Sequence, residues 1–469
     1  MIRIYNTLNR KVEEFKPISD KLVSVYTCGP TVYDYAHIGH WFNYIRMDIL
    51  IRTLQANGYK TKWVMNITDV GHLTSDSDEG EDKVQQKARK EHKNAYQIAE
   101  FYTTHFLKDM TQLNILRPDF IVKATDHIKD QIDLILKLQE KGYTYKIEDD
   151  GIYYDTSKFK EYAKFAKLDL DYQEPGIRVS FNPKKRNVSD FALWKFSPKD
   201  SRRDMEWDSP FGKGFPGWHI ECSAMSMKYL GNTMDFHTGG IDHIPVHHTN
   251  EIAQSEAVTG QPLAHYWVHS NHVMINDQKI SKSLGNGITL DEITKRGFKT
   301  MAVRLLVLES HYQSQSKFSF QSLDSAQKRL EGLYQMAVLK YQLTNVDDQL
   351  SFNFREAALN IKDLLSDNLK TPEALAFLSQ ISAQTLSIGI SQLEIEDFIY
   401  FLDKIDQCLG LDLASVKDIS KPQKELIEAR SRARQQMDWQ ASDSIRDKLL
   451  LEGIKLNDHS NKTYWYRTL

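Results

Sequence analysis

The sequence predicts an α/β fold built on a largely parallel sheet, interrupted by an inserted subdomain and followed by a helical bundle and a small C-terminal module. Three observations carry that expectation. A strand, a long helix and a second strand follow one another within the first 67 residues. The alternation breaks off after residue 125 and resumes after Gly217. Beyond about Phe320 the apolar spacing is helical almost throughout. A chain of 469 residues, 41% hydrophobic and 26% charged, has the composition of a globular protein and room for about three domains.

Leu22 to Thr27 is a short β-branched and aromatic run ended by Cys28-Gly29-Pro30, which reads as the first strand. From residue 38 to 55, Ile38, Phe42, Ile45, Ile49, Leu50 and Leu54 recur at three- and four-residue spacing, an amphipathic helix stopped by Gly58. Residues 61–67 form the second strand and complete a βαβ unit. The acidic stretch 75–82 places Gly80 where a calcium ligand belongs, so it is a solvated loop. Residues 126–204, with a helix over 132–141, a strand over 151–154 and a basic turn at Pro183-Lys184-Lys185-Arg186, read as an insertion into the sheet domain. The boundaries expected are 1–125 and 205–270 for the two halves of the sheet domain, 271–320 for a connecting region, 321–415 for the bundle and 416–469 for the last module. That module is a helical hairpin with an extended end, Thr463 to Arg467. Residues 417–469 hold eleven lysines and arginines against eight carboxylates, a local net charge of +3 in a chain of net charge −3.

No stretch reaches the ~18 uncharged apolar residues that a membrane-spanning helix needs, and the polar N-terminus lacks a signal core. Cys28, Cys222 and Cys408 are too few for a disulfide scaffold and suit a reducing compartment. A soluble, cytoplasmic protein with no membrane association is expected. The weak overall charge leaves any nucleic-acid contact to a local surface.

Gly212 to Gly217 matches G-x-G-x-x-G, but no strand precedes it, and a dinucleotide site is not expected there. H-I-G-H at residues 37–40 is more informative. His37 and His40 are three apart at the start of the first helix, where backbone N–H groups and the dipole favour anions. Gly39 between them leaves room for a flat ring or sugar. Two surface histidines alone are commonly inert. The later K-I-S-K-S at residues 279–283 sets Lys279 and Lys282 three apart in a Ser/Gly-rich segment, where ammonium groups can follow charge moving across a triphosphate. Alone it is a solvated basic turn. Together, on an α/β chain of this size, the two motifs make the sequence resemble the class I aminoacyl-tRNA synthetases.

Cys28 closes the first strand, Cys222 lies in Trp218-His219-Ile220-Glu221-Cys222, and His247 and Glu251 are four apart on one helix face. Each has an ordinary explanation, a packed thiol or a surface hydrogen bond. As a set, two thiolates, an imidazole and a carboxylate are zinc ligands. Joined to the two phosphate motifs, they make the chain resemble the cysteinyl-tRNA synthetases over nearly its whole length.

The resemblance implies a Rossmann-like catalytic domain with an inserted subdomain, a helical bundle and a C-terminal anticodon-binding module. It implies activation of L-cysteine by ATP with Mg²⁺ and transfer to tRNA(Cys) by a monomer, with one zinc per chain on Cys28, Cys222, His247 and Glu251. His37, His40, Lys279 and Lys282 are then catalytic and, with Gly39 and Asp242, hold ATP, while Gly29, Thr31, Thr68, Trp218 and His237 line the amino-acid pocket. Two departures stand out. His247-His248-Thr249-Asn250-Glu251 replaces the more usual H-H-E-N-E, with both ligand positions intact. After Asn66-Ile67-Thr68-Asp69, the segment Val70-Gly71-His72-Leu73 and the acidic loop replace a short acidic-lysine motif, so no site residue is expected there. Arg430, Arg432 and Arg434, with Trp439, Tyr464 and Trp465, are the candidates for stacking on anticodon bases. Two alternatives share much of this pattern: a cysteine-activating ligase with a small-amine acceptor, as in mycothiol-type biosynthesis, and a non-catalytic zinc-containing RNA-binding derivative.

Overall fold

The structure is a computed structural model that describes residues 1–73, 80, 82–167, 183–198, 203–275, 278–279, 287–344, 352–458 and 463–467. The chain forms two compact units, one of residues 1–111, 115–290 and 312–316, the other of residues 112–114, 291–311 and 317–469.

The first unit is organised by a five-stranded, all-parallel sheet: β1 (Leu22–Thr27), β2 (Lys60–Ile67), β3 (Phe120–Lys123), β4 (Met234–Gly240) and β5 (Ala264–Ser270). Its order is β5-β4-β1-β2-β3. The β-branched and aromatic residues of β1 make it a centre strand, with Val23, Val25 and Tyr26 fully buried. β1 pairs with β2 through Thr27 and Met65, and with β4 through Thr27 and Thr238. An antiparallel hairpin at the N-terminus, Arg3–Asn6 with Lys11–Glu14, was not foreseen from sequence.

Helix α1 (Ile38–Ala56) matches the expected span, but it is not amphipathic, because every residue from 44 to 54 is buried. Three charged side chains therefore go inside with it. Asp48 and Arg52 meet at 2.7 Å, and Arg46 bonds neutral oxygens. A helix buried on all sides carries no clean polar stripe.

Between β3 and β4 lie helix Ile128–Glu140 and a four-stranded antiparallel sheet of Thr144–Ile147, Gly151–Tyr154, Phe191–Phe196 and Gly214–Pro216, the last strand lying beyond the expected insertion 126–204. Gly214–Pro216 lies inside the glycine-rich motif. It is thus an edge strand leading into α2 (Trp218–Leu230), with no preceding strand to build a dinucleotide turn. The acidic stretch 75–82 is a solvated loop in expectation only, since residues 74–79 and 81 lie outside the described part of the chain. Asp82 corrects that reading. It is 2% exposed, accepts from the N–H groups of Gly71, Val84 and Gln85, and pairs with Arg203. It caps helix Lys83–Lys90.

The second unit is helical, as the apolar periodicity predicts, with helices Phe320–Ala337, Phe354–Ser366, Thr371–Ile388 and Ile395–Leu409. Arg304, fully buried, donates to the carbonyls of Leu113, Asn114 and Leu409. The chain ends in helices Lys421–Gln435 and Trp439–Leu451 and a two-stranded sheet of Ile454–Asp458 and Thr463–Arg467, around Ile419, Leu449, Ile454 and Trp465. Among the described residues, no helix is long and apolar enough to cross a membrane.

Candidate active site

The strand order places the site. From β1 the chain moves outward to β2 and β3, and from β4 to β5 on the other side, so connections leave the two central strands in opposite directions and open a cleft over their carboxyl ends. Cys28 and Gly29 follow β1, Thr68 follows β2, Asp242 follows β4, and Ser270 and Asn271 end β5. All line one cavity of about 500 Å³. Gly29 is required there: a Cβ would lie 1.6 Å from the Asn66 carbonyl oxygen, and its N–H donates to Asn66 Oδ1 at 2.8 Å.

One end of the cavity is the start of α1. The His37 ring Nδ1 accepts from the Gly39 N–H at 3.1 Å, and His40 Nδ1 accepts from the His37 N–H at 3.1 Å. This reciprocal cap consumes Nδ1 of both rings, so each neutral ring carries its proton on Nε2, the tautomer that donates to an anion. The ring centroids are 3.9 Å apart. The Ile38 N–H donates to the Ile288 carbonyl at 2.8 Å, and His37 bridges to Thr289. Residues 287–289, just beyond K-I-S-K-S, therefore rest on the helix start. The entry to that motif is the hairpin Val273–Ile275 with Gln278–Lys279, in which Lys279 opposes Met274. Lys282 and the side chain of Lys279 lie outside the described residues.

The other end gathers the expected metal ligands. One ligand atom each from Cys28, Cys222, His247 and Glu251 lies within 4.8 Å of the other three, and all four residues are buried. Cys222 comes from α2. His247 is the fourth residue of a five-residue π-turn, Ile244–His248, that runs into α3 (Thr249–Thr259), whose first turn carries Glu251. Such a turn is a common device at functional sites. Its Nε2 meets Glu251 Oε1 at 3.1 Å, while its Nδ1 meets His219 Nδ1 at 2.9 Å. Burial and the charges of Cys222 and Glu251 push the Cys28 thiol up. For Cys222, burial is outweighed by the hydrogen bond from Cys28 and the His247 cation, which bring the thiol down. Burial acts against the charge on His247, but Glu251 and Cys222 hold it protonated and raise it to about 10. The Glu251 carboxylate and the Cys222 thiol thus surround a buried positive charge, which a metal ion would take over once His247 gives up its proton to become a ligand. Two sulfurs, one nitrogen and one oxygen fit zinc.

Cys28, His237, His248 and Glu251 also converge within 4.8 Å. That set holds one thiol instead of two, and His237 and His248 are fully buried behind the cavity wall, whereas Cys28, Cys222 and His247 line it. His237, expected in the amino-acid pocket, instead meets Glu251 Oε2 at 2.8 Å with no exposed surface. It orients the carboxylate from behind, a common partner for a ligating group.

Gly29, Thr31, Thr68 and Trp218 join Cys28, Cys222 and His247 in the lining, as do His37, Gly39, His40 and Asp242. Two lining residues were not among the expected site residues: His72, from the segment where none was expected, and Lys83, just beyond it. His72 stacks on Trp218 with ring centroids 4.1 Å apart and planes 7° apart. Its Nδ1 meets Thr31 Oγ1 at 2.7 Å and its Nε2 meets Lys83 Nζ at 2.6 Å. No local pattern announces these contacts, because the partners lie as far as 146 positions away in the chain.

In the C-terminal module, two of the residues expected to face RNA belong to the interior. Arg430 is 3% exposed and forks onto both oxygens of Asp458 at 2.7 and 2.8 Å, and Trp465 is 4% exposed in the core. Trp439 is 57% exposed, with the Arg434 guanidinium 5.8 Å from its ring centre, and Arg432 is exposed.

Residues 14–328 match the family model for the class I (C) tRNA synthetase catalytic domain. The chain is 41% identical to a cysteine–tRNA ligase of Treponema denticola over 99% of both chains. It is 43% identical to cysteine–tRNA ligase 1 of Burkholderia lata over 97% of this chain and 95% of that one. The chain belongs to the cysteine–tRNA ligase family. A structure of methionyl-tRNA synthetase from Mycobacterium tuberculosis shares the fold at 14% identity, with a TM-score of 0.59 over 84% of this chain and 93% of that one. Within the cysteine–tRNA ligase family, identity over nearly the whole length carries the bundle and the C-terminal module along with the catalytic domain.

Proposed function

We propose that the protein activates L-cysteine with ATP and transfers it to the 3′ end of tRNA(Cys), with a zinc ion on Cys28, Cys222, His247 and Glu251 selecting the substrate thiol. The observation that carries this reading is one cavity with a thiol-selecting donor set at one end and a histidine-capped helix start at the other. When bound, zinc supplies a soft Lewis acid suited to sulfur.

In the first step, a carboxylate oxygen of cysteine attacks the α-phosphorus of ATP. The bond from that phosphorus to the bridging oxygen breaks, and pyrophosphate leaves with the electron pair. In the second, a hydroxyl of the terminal tRNA ribose attacks the activated carbonyl, the bond from that carbon to the phosphate oxygen breaks, and AMP leaves with the electron pair while its phosphate takes up the hydroxyl proton. The protein contributes position and charge. His37 and His40 donate Nε2–H to phosphate oxygens beside the α1 N-terminus, and Lys279 and Lys282 meet the triphosphate, which carries Mg²⁺ as part of the substrate. Asp242 receives the ribose. Thr31, Thr68 and Trp218 enclose the amino acid, with Trp218 held flat by His72. His237 acts on the pocket through Glu251.

The division into sheet domain (1–125 and 205–270), connective insertion (126–204), K-I-S-K-S loop and stem-contact region (271–320), bundle (321–415) and anticodon module (416–469) belongs to the same proposal. So does a cytoplasmic monomer; three buried cysteines that form no disulfide suit a reducing compartment. The tRNA is met at Arg432, Arg434 and Trp439. Cysteine-dependent ATP–pyrophosphate exchange followed by charging of bulk tRNA tests the reading. Exchange without charging would favour the small-amine ligase, and neither activity would favour the non-catalytic derivative.

A further inference from the structure

The middle of α1 carries a buried cation that the reaction above does not use. Arg46 is 3% exposed. Its Nη1 donates to Ser270 Oγ at 2.9 Å and to the Asn271 carbonyl at 3.0 Å, and its Nη2 donates to Ser316 Oγ. These three acceptors are neutral oxygens. Burial lowers the guanidinium to about 10, which leaves it charged at neutral pH. A helix position that only fills a core takes Leu or Met at less cost than a desolvated cation. The fork of donors and the charge are what set Arg apart from those residues.

Its partners have a common location. Ser270 and Asn271 end β5 and line the cavity, together with His272 and Val273 beyond them. Val273 opens the hairpin whose return strand, Gln278–Lys279, leads into K-I-S-K-S. The same turn is fastened from its far side: Asn271 N–H donates to the Tyr312 carbonyl at 2.8 Å, Asn271 Nδ2 to the Gln313 carbonyl at 2.8 Å, and Ser316 N–H to the His272 carbonyl at 3.0 Å. Arg46 therefore joins three segments at one guanidinium: the helix that begins with His37 and His40, the cavity wall at the end of β5, and the strap 312–316.

We propose that Arg46 is a positioning residue for the nucleotide end of the pocket: it holds the wall at Ser270 and Asn271 in register with α1 and sets a buried positive charge behind that wall, favouring a bound triphosphate. A charge this close to the cavity, screened by protein instead of water, acts on a polyanion and leaves a neutral amino-acid subsite largely untouched. The inference rests on the adenylation reading for its location. Its test does not, because ATP binding is measured directly.

Arg46→Gln keeps amide donors without the charge, and Arg46→Lys keeps the charge without the fork. Equilibrium dialysis with labelled ATP gives the binding constant of each, and pyrophosphate exchange normalised by active-site titration gives KM and kcat per folded site. Arg46→Gln should weaken ATP binding and raise the ATP KM about tenfold, with the cysteine KM and zinc content within about twofold of wild type. Arg46→Lys should return ATP binding to within about threefold. A glutamine variant that binds ATP within about twofold of wild type, or a lysine variant as weak as the glutamine one, overturns the proposal. If the wild type exchanged no pyrophosphate at all, the adenylation reading would fail while the dialysis result still decided the role of Arg46.

Discussion

The two ends of the cavity are built on opposite physical terms. At the thiol end, Cys28, Cys222, His247 and Glu251 are 4% exposed or less, and His219, His237 and His248 around them are equally dry. Side chains there answer to other buried groups, as in the chain from Cys28 Sγ to His248 Nε2 at 3.3 Å and from His248 Nδ1 to His269 Nε2 at 2.8 Å. At the nucleotide end, His37 and His40 are half-buried caps on a helix terminus. The difference fits two tasks. Telling sulfur from oxygen requires fixed, desolvated donors, because shape alone separates such close substrates by only ~1–3 kcal/mol. Following charge along a triphosphate requires polar groups beside water.

Breaking each end should therefore leave a different signature. The largest effect is expected at the nucleotide end: Lys282→Ala should slow adenylate formation ~10²-fold or more with cysteine affinity unchanged, since its charge meets the triphosphate mainly in the transition state. Pre-steady-state adenylation kinetics check this, and an unchanged rate constant would remove Lys282 from the catalytic set. At the thiol end, Cys222→Ser or His247→Ala should raise the cysteine KM by about 10²-fold while the ATP KM stays within about twofold. Parallel changes in both KM values would erase the distinction between the two ends.

The dryness of the pocket floor has its own reporter in Asp69, next to Thr68. Burial pushes its carboxyl up to about 6, against the hydrogen bonds from Thr125 that pull it down. A carboxyl raised by folding binds its proton more tightly in the native state. The resulting stabilisation is complete below the unfolded value near pH 4 and is lost as pH rises through about 6. Asp69→Asn removes that dependence, so its stability relative to wild type should grow by about 2 kcal/mol between pH 4 and pH 7.5 in denaturant titrations. A constant difference would mean that Asp69 is well solvated. The smallest effect concerns the second unit. Trp439→Ala should raise the tRNA KM about tenfold and leave pyrophosphate exchange unchanged, as loss of one stacked base predicts. Loss of exchange as well would make Trp439 structural.

The parts legible in the sequence are those whose signal is local or chemical. Leu22 to Thr27 is a strand because β-branched and aromatic residues run up to a glycine and a proline. The four candidate ligands stand out because thiols are scarce in this chain and His247 and Glu251 are four positions apart. Long-range packing hid the rest. His72 gains its place only by lying flat on Trp218, and Lys83 by reaching His72. Charge misled in three places: Asp82 reads as one more acid in a solvated run but caps a helix, Arg430 reads as an RNA contact but is spent on Asp458, and Arg46 falls outside the apolar stripe expected of α1 yet is buried. A charged side chain announces itself in a sequence without saying whether its partner is solvent, substrate or the protein.

The most direct measurement is pyrophosphate exchange with cysteine and with serine, run on zinc-loaded and on metal-stripped protein that remains folded by circular dichroism. The account predicts about one zinc per chain, strong preference for cysteine in the loaded protein, and loss of cysteine activation on stripping with ATP binding intact. Stripped, folded protein that still activated cysteine with undiminished preference over serine would contradict it.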